Sequence, residues 1–276
     1  MVQTTNNNTI DNNTSNTLSI QVSLNGLSFC TIDSNQQVTA VGQNSFGLQL
    51  TPEQVLGKIK TAFDDNPLLK GNFETIEVIY HNVLYALVPK PLFNKDLVKQ
   101  YLQYNVKVFE SDFIVYDELD QHDIVSVYIP YANINNYFFD TFGSFTYKHA
   151  ITILINSLLT QEKNSETTTV FVNINEKLFD LVIINKGKLI LGNTYRYESK
   201  EDFLYYLLFT TEQANLNPEE FTLVFLGDIT KESDCFKIAY KYVRKITFGN
   251  YSRNLEISSE VEPFEPHQHF TLLSHF

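Results

Sequence analysis

Two segments of the chain, beginning at Ile20 and Val170, show the same alternation of apolar and polar residues. This period-two pattern is typical of half-buried β-strands. Turn-forming residues interrupt each segment twice, so each one predicts a three-stranded antiparallel meander. Identical residues occupy equivalent positions in one ungapped register: Val22 and Val172, Asn25 and Asn175, Phe29 and Phe179, Asn35 and Asn185, and Gly42 and Gly192. We interpret the recurrence as an internal duplication.

A capped helix is predicted after each meander. Thr51 and Ser199 suit the N-cap position, and Gln54 and Asp202 follow three residues later, as a capping box requires. A strand and a second helix follow in each half: Thr75–Tyr80 and Asn94–Asn105 in the first, and Thr222–Leu226 and Lys231–Val243 in the second. The sequence therefore predicts an α/β fold in which one β-β-β-α-β-α plan is used twice.

The first half contains additional elements. A strand at 123–129, a helix at 131–142, a short strand at 145–147 and an apolar helix at 150–160 are predicted before the polar run 161–168. The Asn/Thr-rich start of the chain contains too few large apolar residues to fold. We therefore expect three regions: a disordered tail (1–17), a first lobe (18–164) and a second lobe (165–276).

The charge balance argues against several classes of partner. The chain has a net charge of −12 and no Lys or Arg before Lys58, so nucleic acid and anionic membrane surfaces are unfavourable partners. The apolar run at 150–160 is about half of the ~20 residues that a membrane-spanning helix needs, and no secretory leader is recognisable. The only two cysteines, Cys30 and Cys235, make no disulfide framework. We expect a cytoplasmic protein.

This duplicated order of elements resembles the actin-like ATPase superfamily, a ribonuclease H-like fold that includes actin, sugar kinases and Hsp70 chaperones. More closely, the chain resembles a bacterial family defined by a domain of unknown function with that fold. It is also similar in plan to the actin-like proteins of type IV pilus and type II secretion assembly. The resemblance covers residues 18–276 and implies two lobes, each with a mixed sheet that begins in a meander and is flanked by helices.

The resemblance also implies where a nucleotide would bind. In active members, two hairpin turns hold phosphate through backbone N–H groups and Mg²⁺ through the Asp of an Asp-x-Gly core, and a Gly-Gly pair approaches the nucleoside. The equivalent segments here are residues 23–28, 173–177 and 226–228. In the first, Leu24 replaces the Asp; in the second, asparagines stand at both positions. Neutral side chains lack the charge that Mg²⁺ ligands supply, so we expect no catalytic residue, no metal and no cofactor.

Five residues of these segments are candidates for any remaining nucleotide contact: Asn25, Gly26, Asn175, Gly227 and Asp228. Turn N–H groups can bind an anion weakly, but Asn and Gly are also the residues that hairpin turns favour, and we prefer the simple turn. Gly227 and Asp228 either approach a nucleoside or begin the turn towards the next helix. We prefer the turn here as well.

Two other polar clusters contain residue types that bind metals. Residues 116–123 are the most acidic stretch, but their spacing fits neither an EF-hand loop nor a helical His pair, so a solvated loop is predicted. His267 and His269 would face one side of an extended chain. No Cys or acidic residue stands at ligand spacing from them, so a structural or surface role is predicted.

These observations favour a non-catalytic adaptor or scaffold, a pseudo-ATPase that acts through contacts with an unidentified protein. Phe and Tyr are abundant, and they are enriched in interfaces as well as in cores. The pairs Phe138-Phe139 and Tyr205-Tyr206 are expected to expose one ring each. The alternative is an ATPase or phosphotransferase with unusual metal ligands, for which Asp180 and Asp228 are the first candidates. A small-molecule sensor is a weaker third hypothesis.

Overall fold

The computed structural model describes residues 15–251 and 255–274. Its strands are β1 (Ser15–Val22), β2 (Gly26–Asp33), β3 (Gln37–Ser45), β4 (Thr75–Tyr80), β5 (Tyr85–Pro89), β6 (Val115–Leu119), β7 (Ile124–Tyr128), β8 (Thr146–His149), β9 (Thr168–Asn175), β10 (Leu178–Asn185), β11 (Lys188–Arg196), β12 (Thr222–Gly227), β13 (Lys245–Phe248) and β14 (Glu256–Ile257). Its α-helices are α1 (Pro52–Asp65), α2 (Val98–Leu102), α3 (Ala132–Phe142), α4 (Ala150–Gln161), α5 (Lys200–Gln213), α6 (Asp234–Ala239) and α7 (Phe270–Leu273).

The first sheet has the strand order β14-β3-β2-β1-β4-β8. β1, β2 and β3 form the predicted antiparallel meander, and β4 and β8 continue the sheet parallel to β1. Leu18, Ile20 and Val22 of β1 are buried in one cluster with Ile59 of α1 and Phe138 of α3. Each such side chain contributes about 1.5–3 kcal/mol by leaving water, so this face of the sheet is the core of the first lobe.

The second sheet repeats this order as β11-β10-β9-β12-β13. β9, β10 and β11 form an antiparallel meander, and β12 and β13 run parallel to β9. Val172 and Phe225 of this sheet pack with Phe203 and Leu207 of α5 in a second core. The two meanders and their flanking helices confirm the predicted fold class.

Both predicted capping boxes are present. Thr51 Oγ1 accepts from the Gln54 N–H, and Gln54 Oε1 accepts from the Thr51 N–H. Ser199 and Asp202 make the same reciprocal pair at the start of α5. An N-cap of this kind contributes about 1 kcal/mol, which explains why both helices begin where the sequence predicts.

The start of the first meander differs from the prediction. β1 begins at Ser15, whereas the sequence predicts a strand from Leu18 and assigns residues 15–17 to the disordered tail. Thr17 pairs with Ile32 of β2 and with Thr75 of β4, so neighbouring strands on both sides hold this part of the chain. The rest of the predicted tail, residues 1–14, lies outside the described residues.

In the third sheet, whose order is β5-β7-β6, the sequence predicts β7, as the strand at 123–129, but not β5 or β6. Acidic residues 116–122, predicted as a solvated loop, lie in β6 and in a 3₁₀ turn. Asp117 gives the physical reason: Oδ1 accepts from the Tyr128 hydroxyl at 3.0 Å and Oδ2 from the His149 N–H at 2.9 Å. The carboxylate stabilises an ordered strand by pairing with donors of two other strands.

Two predicted helices are shorter than the sequence suggests. Only α2 and a preceding 3₁₀ turn form within 94–105, and only α6 forms within 231–243. Polar side chains compete with the helix at both starts: Asn94 Oδ1 accepts from the Asp96 N–H at 2.9 Å, and Ser233 Oγ accepts from the Thr230 N–H at 3.0 Å. Such local bonds favour turns over helical backbone.

The chain divides into two compact units. The first extends to Glu118, resumes over Asp123–Ala150 and includes a late segment that ends at Pro263. The second consists of Leu119–His122, a segment that begins at Ile151 and a C-terminal segment that begins at Phe264. Within the described residues, no helix combines the length and hydrophobicity needed to cross a bilayer.

Candidate functional site

The first candidate loop connects β1 to β2 and is closed by Ser23. The Ser23 Oγ accepts from the Asn25 N–H at 3.1 Å and from the Gly26 N–H at 3.0 Å, and the Ser23 N–H donates to the Gly26 carbonyl at 3.0 Å. Neither Asn25 nor Gly26 has a positive φ. The hairpin turn lies where the sequence predicts it, and the Ser23 hydroxyl, rather than a positive φ at Asn25 or Gly26, closes it.

In this loop, the Ser23 hydroxyl accepts hydrogen bonds from the backbone N–H groups that a bound phosphate would need. Two neighbouring backbone N–H groups of the loop already point to one hydroxyl oxygen, and the Asn25 carbonyl accepts from the Phe46 N–H at 2.7 Å. The Asn25 side chain is 4% exposed, and its amide nitrogen has no partner among the described residues. The loop is thus a compact turn that bonds to itself and to the Phe46 N–H that follows β3.

The second candidate loop connects β9 to β10. Asn175 and Leu178 face each other as the last and first residues of the two strands, and Glu176 and Lys177 form the turn. Glu176 has the positive φ, 51°. Asn175 is thus a strand residue, and the turn carries a side chain at each of its two positions.

The third candidate segment follows β12, directly beside the second. Gly227 pairs with Ile174 of β9, and the Asp228 N–H donates to the Ile174 carbonyl at 2.8 Å. Gly227 has a φ of +79°, and a Cβ there would lie 2.1 Å from the Ile174 oxygen. A glycine is required because the neighbouring strand is so close; no ligand is needed to explain it.

The C-terminal segment, defined here as residues 264–274, covers this third segment. The Gly227 N–H donates to the His267 carbonyl at 2.8 Å, and the His267 Nε2–H donates to the Ile229 carbonyl at 2.7 Å. The His267 ring also lies 4.4 Å from the Phe248 ring. His267 is buried, as the predicted structural role requires, but the chain around it forms a turn and α7, so the extended geometry considered for His267 and His269 is wrong.

A buried carboxylate lies on the second sheet. Asp180 Oδ1 accepts from the Thr194 hydroxyl at 2.6 Å, and Oδ2 accepts from the Asn173 amide at 2.9 Å. The Asn173 amide also donates to the Thr271 hydroxyl of α7 at 3.3 Å. Asp180 is fully buried, whereas Asp228 is exposed. The Asn173 amide therefore connects the Asp180 carboxylate of the meander to Thr271 of the C-terminal segment.

Neither hairpin loop has a carboxylate at the position of the Asp in an Asp-x-Gly core. The first loop contains no carboxylate, the second has Asn173 at the Asp position and Asn175 at the Gly position, and Asp180 accepts hydrogen bonds from two neutral donors. Among the described residues, no three His, Cys, Asp or Glu side chains are grouped closely enough to hold a metal ion.

The two thiols also lack the features of a nucleophile. Both cysteines are buried, as the sequence predicts. Burial raises the pKa of the Cys235 thiol to about 11, and burial likewise raises the pKa of Cys30 far above its usual range. A reactive thiolate requires a lowered pKa, so neither residue is activated.

Residues 5–246 match the family described as "Protein of unknown function (DUF3822)". The chain belongs to the DUF3822 family. This confirms the resemblance to a family defined by a domain of unknown function. A search of curated proteins found no match to the chain.

Solved structures show that this DUF3822 member has an actin-like ATPase fold. A Bacteroides thetaiotaomicron protein with an actin-like ATPase fold and unknown function superposes with a TM-score of 0.77 at 17% identity, over 95% of each chain. A chain of the PilM–PilN type IV pilus biogenesis complex superposes with a TM-score of 0.60 at 11% identity, over 94% of this chain and 96% of that one. At these identities the likeness establishes the fold alone.

The sequence predicts the three candidate segments, but it does not predict which distant residues form hydrogen bonds with them. Nothing in the local sequence indicates that His267 reaches Gly227, because the contact joins residues far apart in the chain. The network around Asp180 had a usable signal: the register of the predicted meander places Asp180 opposite both Asn173 and Thr194, so their side chains share one face of the sheet.

Proposed function

We propose that this DUF3822 chain is a non-catalytic actin-like protein that works in the cytoplasm as an adaptor or scaffold, through contacts with other proteins. The observation that carries the proposal is that the chain's own groups bond to the backbone of the first and third candidate nucleotide segments. Ser23 accepts from two N–H groups of the first loop, and His267 bonds to Gly227 and Ile229 of the third.

The missing charge supports the same proposal. Hydrolysis of ATP in this superfamily depends on carboxylates that hold Mg²⁺ beside the phosphates, and hard cations prefer charged oxygen ligands. Leu24, Asn173 and Asn175 are neutral. Asp180 is charged when ionised, but its two oxygens accept hydrogen bonds from Thr194 and Asn173, and moving it to a ligand would break both.

Exposed aromatic side chains support a role in protein contacts. Phe139 is 63% exposed while Phe138 is fully buried, and Tyr205 is 59% exposed, as predicted for these pairs. Tyr104, Phe109 and Phe113 form a further exposed set near α2. Large aromatic side chains on the surface are the residues that interfaces select. The PilM–PilN structure is itself a complex between proteins, which agrees with this kind of role.

Thermal unfolding with and without Mg-ATP tests the absence of nucleotide binding. A specific ligand at 100 times its Kd adds about 2.7 kcal/mol of stability, which raises Tm by several degrees. We expect Tm to stay unchanged at millimolar Mg-ATP and Mg-ADP, with Mg²⁺ alone as the control. A rise in Tm that depends on nucleotide concentration and is lost in Asp180→Asn or Asp228→Asn would instead support the ATP-dependent enzyme.

A further inference from the structure

Helix α5 carries large apolar side chains on two sides. Phe203 and Leu207 are buried in the core of the second unit, and on the outer side Tyr205 is 59% and Phe209 is 46% exposed. A surface helix normally presents charged and polar residues on its outer face. The outer aromatic residues of α5 are therefore not explained by the core of this chain.

The outer rings are held in a fixed arrangement. Tyr205 and Phe209 stack with centroids 5.6 Å apart and planes 14° apart. Tyr205 also contacts Tyr206, and Tyr206 stacks on Tyr195 of β11 at 4.8 Å. The Tyr195 hydroxyl lies 2.9 Å from the Thr210 hydroxyl. Because neighbouring rings already order these side chains, a partner that binds them loses little side-chain entropy.

Exposed carboxylates stand at both ends of the aromatic pair. Glu201, Tyr205 and Phe209 follow one another at intervals of four residues, and Glu212 is three residues further on. At 1.5 Å per residue, the two glutamates lie roughly 16 Å apart along the helix. Within the described part of the chain, neither glutamate forms an ion pair. We call Glu201, Tyr205, Phe209 and Glu212 the α5 stripe.

We propose that the α5 stripe binds an amphipathic helix of a partner protein that carries Lys or Arg near both ends of its apolar face. The partner's apolar side chains cover Tyr205 and Phe209, and its cations lie beside Glu201 and Glu212. Lys and Arg also bind favourably to the faces of aromatic rings. The net charge of −12 attracts a basic segment from a distance. This inference rests on the proposed adaptor function and specifies its partner.

The charges disfavour a second copy of the chain as the occupant. In a two-fold pair the same surface faces itself, so antiparallel stripes would place Glu201 of each copy beside Glu212 of the other. Like charges brought together at an interface cost affinity. A basic helix meets both glutamates with the opposite charge.

Binding of designed peptides to the full chain tests the proposal. One probe is a fluorescently labelled, alanine-based helix of about 20 residues, with two Arg about three turns apart and Leu between them on the same face. The matched probe has Glu in place of both Arg. We expect fluorescence polarisation to detect binding of the Arg peptide, about tenfold weaker binding of the Glu peptide, and weakening of the Arg peptide at high salt.

Two double variants separate the stripe from general charge effects. Glu201→Lys/Glu212→Lys and Glu260→Lys/Glu262→Lys change the net charge by the same amount, but only the first alters the stripe. We expect the first to weaken the Arg peptide about tenfold or more and the second to leave it nearly unchanged. Tyr205→Ala/Phe209→Ala should also lose binding, whereas Phe139→Ala, at another exposed aromatic residue, should not.

Three results would overturn the inference: no binding of the Arg peptide, equal binding to both glutamate variants, or self-association in sedimentation that Tyr205→Ala/Phe209→Ala abolishes. The last would identify a second copy as the occupant. The Mg-ATP measurement is independent of these results. If the Arg peptide does not bind and Mg-ATP leaves Tm unchanged, only the inference about the α5 stripe fails. If the peptide binds and Mg-ATP raises Tm, only the proposal that the protein is non-catalytic fails.

Discussion

At the scale of single residues, Gly227 and the loop closed by Ser23, both in the candidate nucleotide segments, contact other parts of the chain. Gly227 has no space for a side chain because the Ile174 carbonyl is next to it, and Ser23 accepts from two N–H groups that a phosphate would otherwise use. Fold likeness alone therefore says little about nucleotide affinity.

We expect Gly227→Ala to destabilise the chain by about 3 kcal/mol or more, because alanine disfavours a positive φ and its Cβ would collide with a backbone oxygen of β9. Urea unfolding followed by circular dichroism measures the loss. Gly57→Ala is the matched control: it lies in α1 with no atom within 4 Å of the new Cβ, so we expect a gain of up to about 1 kcal/mol. Similar losses for both would contradict the backbone contact.

At the scale of elements, the C-terminal segment combines several weak contacts into one attachment. His267 bonds to the backbone on both sides of Asp228, Thr271 receives a bond from Asn173, and Phe270 and Leu272 are buried. His269 has a left-handed φ of 52°. Burial lowers the pKa of His269, and the nearby Asp228 carboxylate opposes this shift only in part.

This lowered pKa gives stability a defined pH dependence. Below its ordinary pKa of 6.5, His269 binds a proton more readily in the unfolded chain than in the folded one, so stability falls as pH decreases through that range. We expect His269→Asn, which tolerates a left-handed φ and does not titrate, to reduce the loss of stability between about pH 7 and pH 5. If stability depends on pH equally in the parent chain and in His269→Asn, His269 is not the residue responsible. Burial also lowers the pKa of His122, so a smaller pH dependence remains in both proteins.

The elements that the sequence predicts well are those determined by neighbouring residues. Both meanders, α1 and α5 follow from alternation and capping boxes, and β4 has the predicted bounds, Thr75–Tyr80. In the third sheet β7 was predicted, but β6 was missed because it carries charged residues, and the partners of Asp117, Tyr128 and His149, come from other strands. The same holds for the candidate site. The sequence predicts its local turns but not the long-range contact that His267 makes.

At the scale of the whole molecule, the described residues include a core centred on β1 and β4 with α1 and α3, another centred on β9 and β12 with α5, and a smaller cluster around β5, β7 and α2. Each core lies within one compact unit. Regions with their own buried contacts open as cooperative units. A substitution that disrupts one core should therefore reduce the hydrogen-exchange protection of amides in the same unit first.

Hydrogen exchange of Gly227→Ala tests this expectation. Amides of β9, β10 and β12 should lose protection by a larger factor than amides of β1, β2 and β4, because the added Cβ strains the second sheet only. Mass spectrometry of peptides from the two sheets measures both in one sample, with Gly57→Ala as the control. Equal loss of protection in both sheets would show that the cores open together.

The pairing of β14 with β3 through Glu256 and Ile257 has a consequence for biosynthesis. At about 5–20 residues per second, the ribosome releases β3 on the order of tens of seconds before β14. Until then the outer strand of the first sheet is open to other nascent chains, and open edges are where aggregation begins. We therefore expect the edge of β3 to be most prone to pairing with other chains during translation, before β14 has been made.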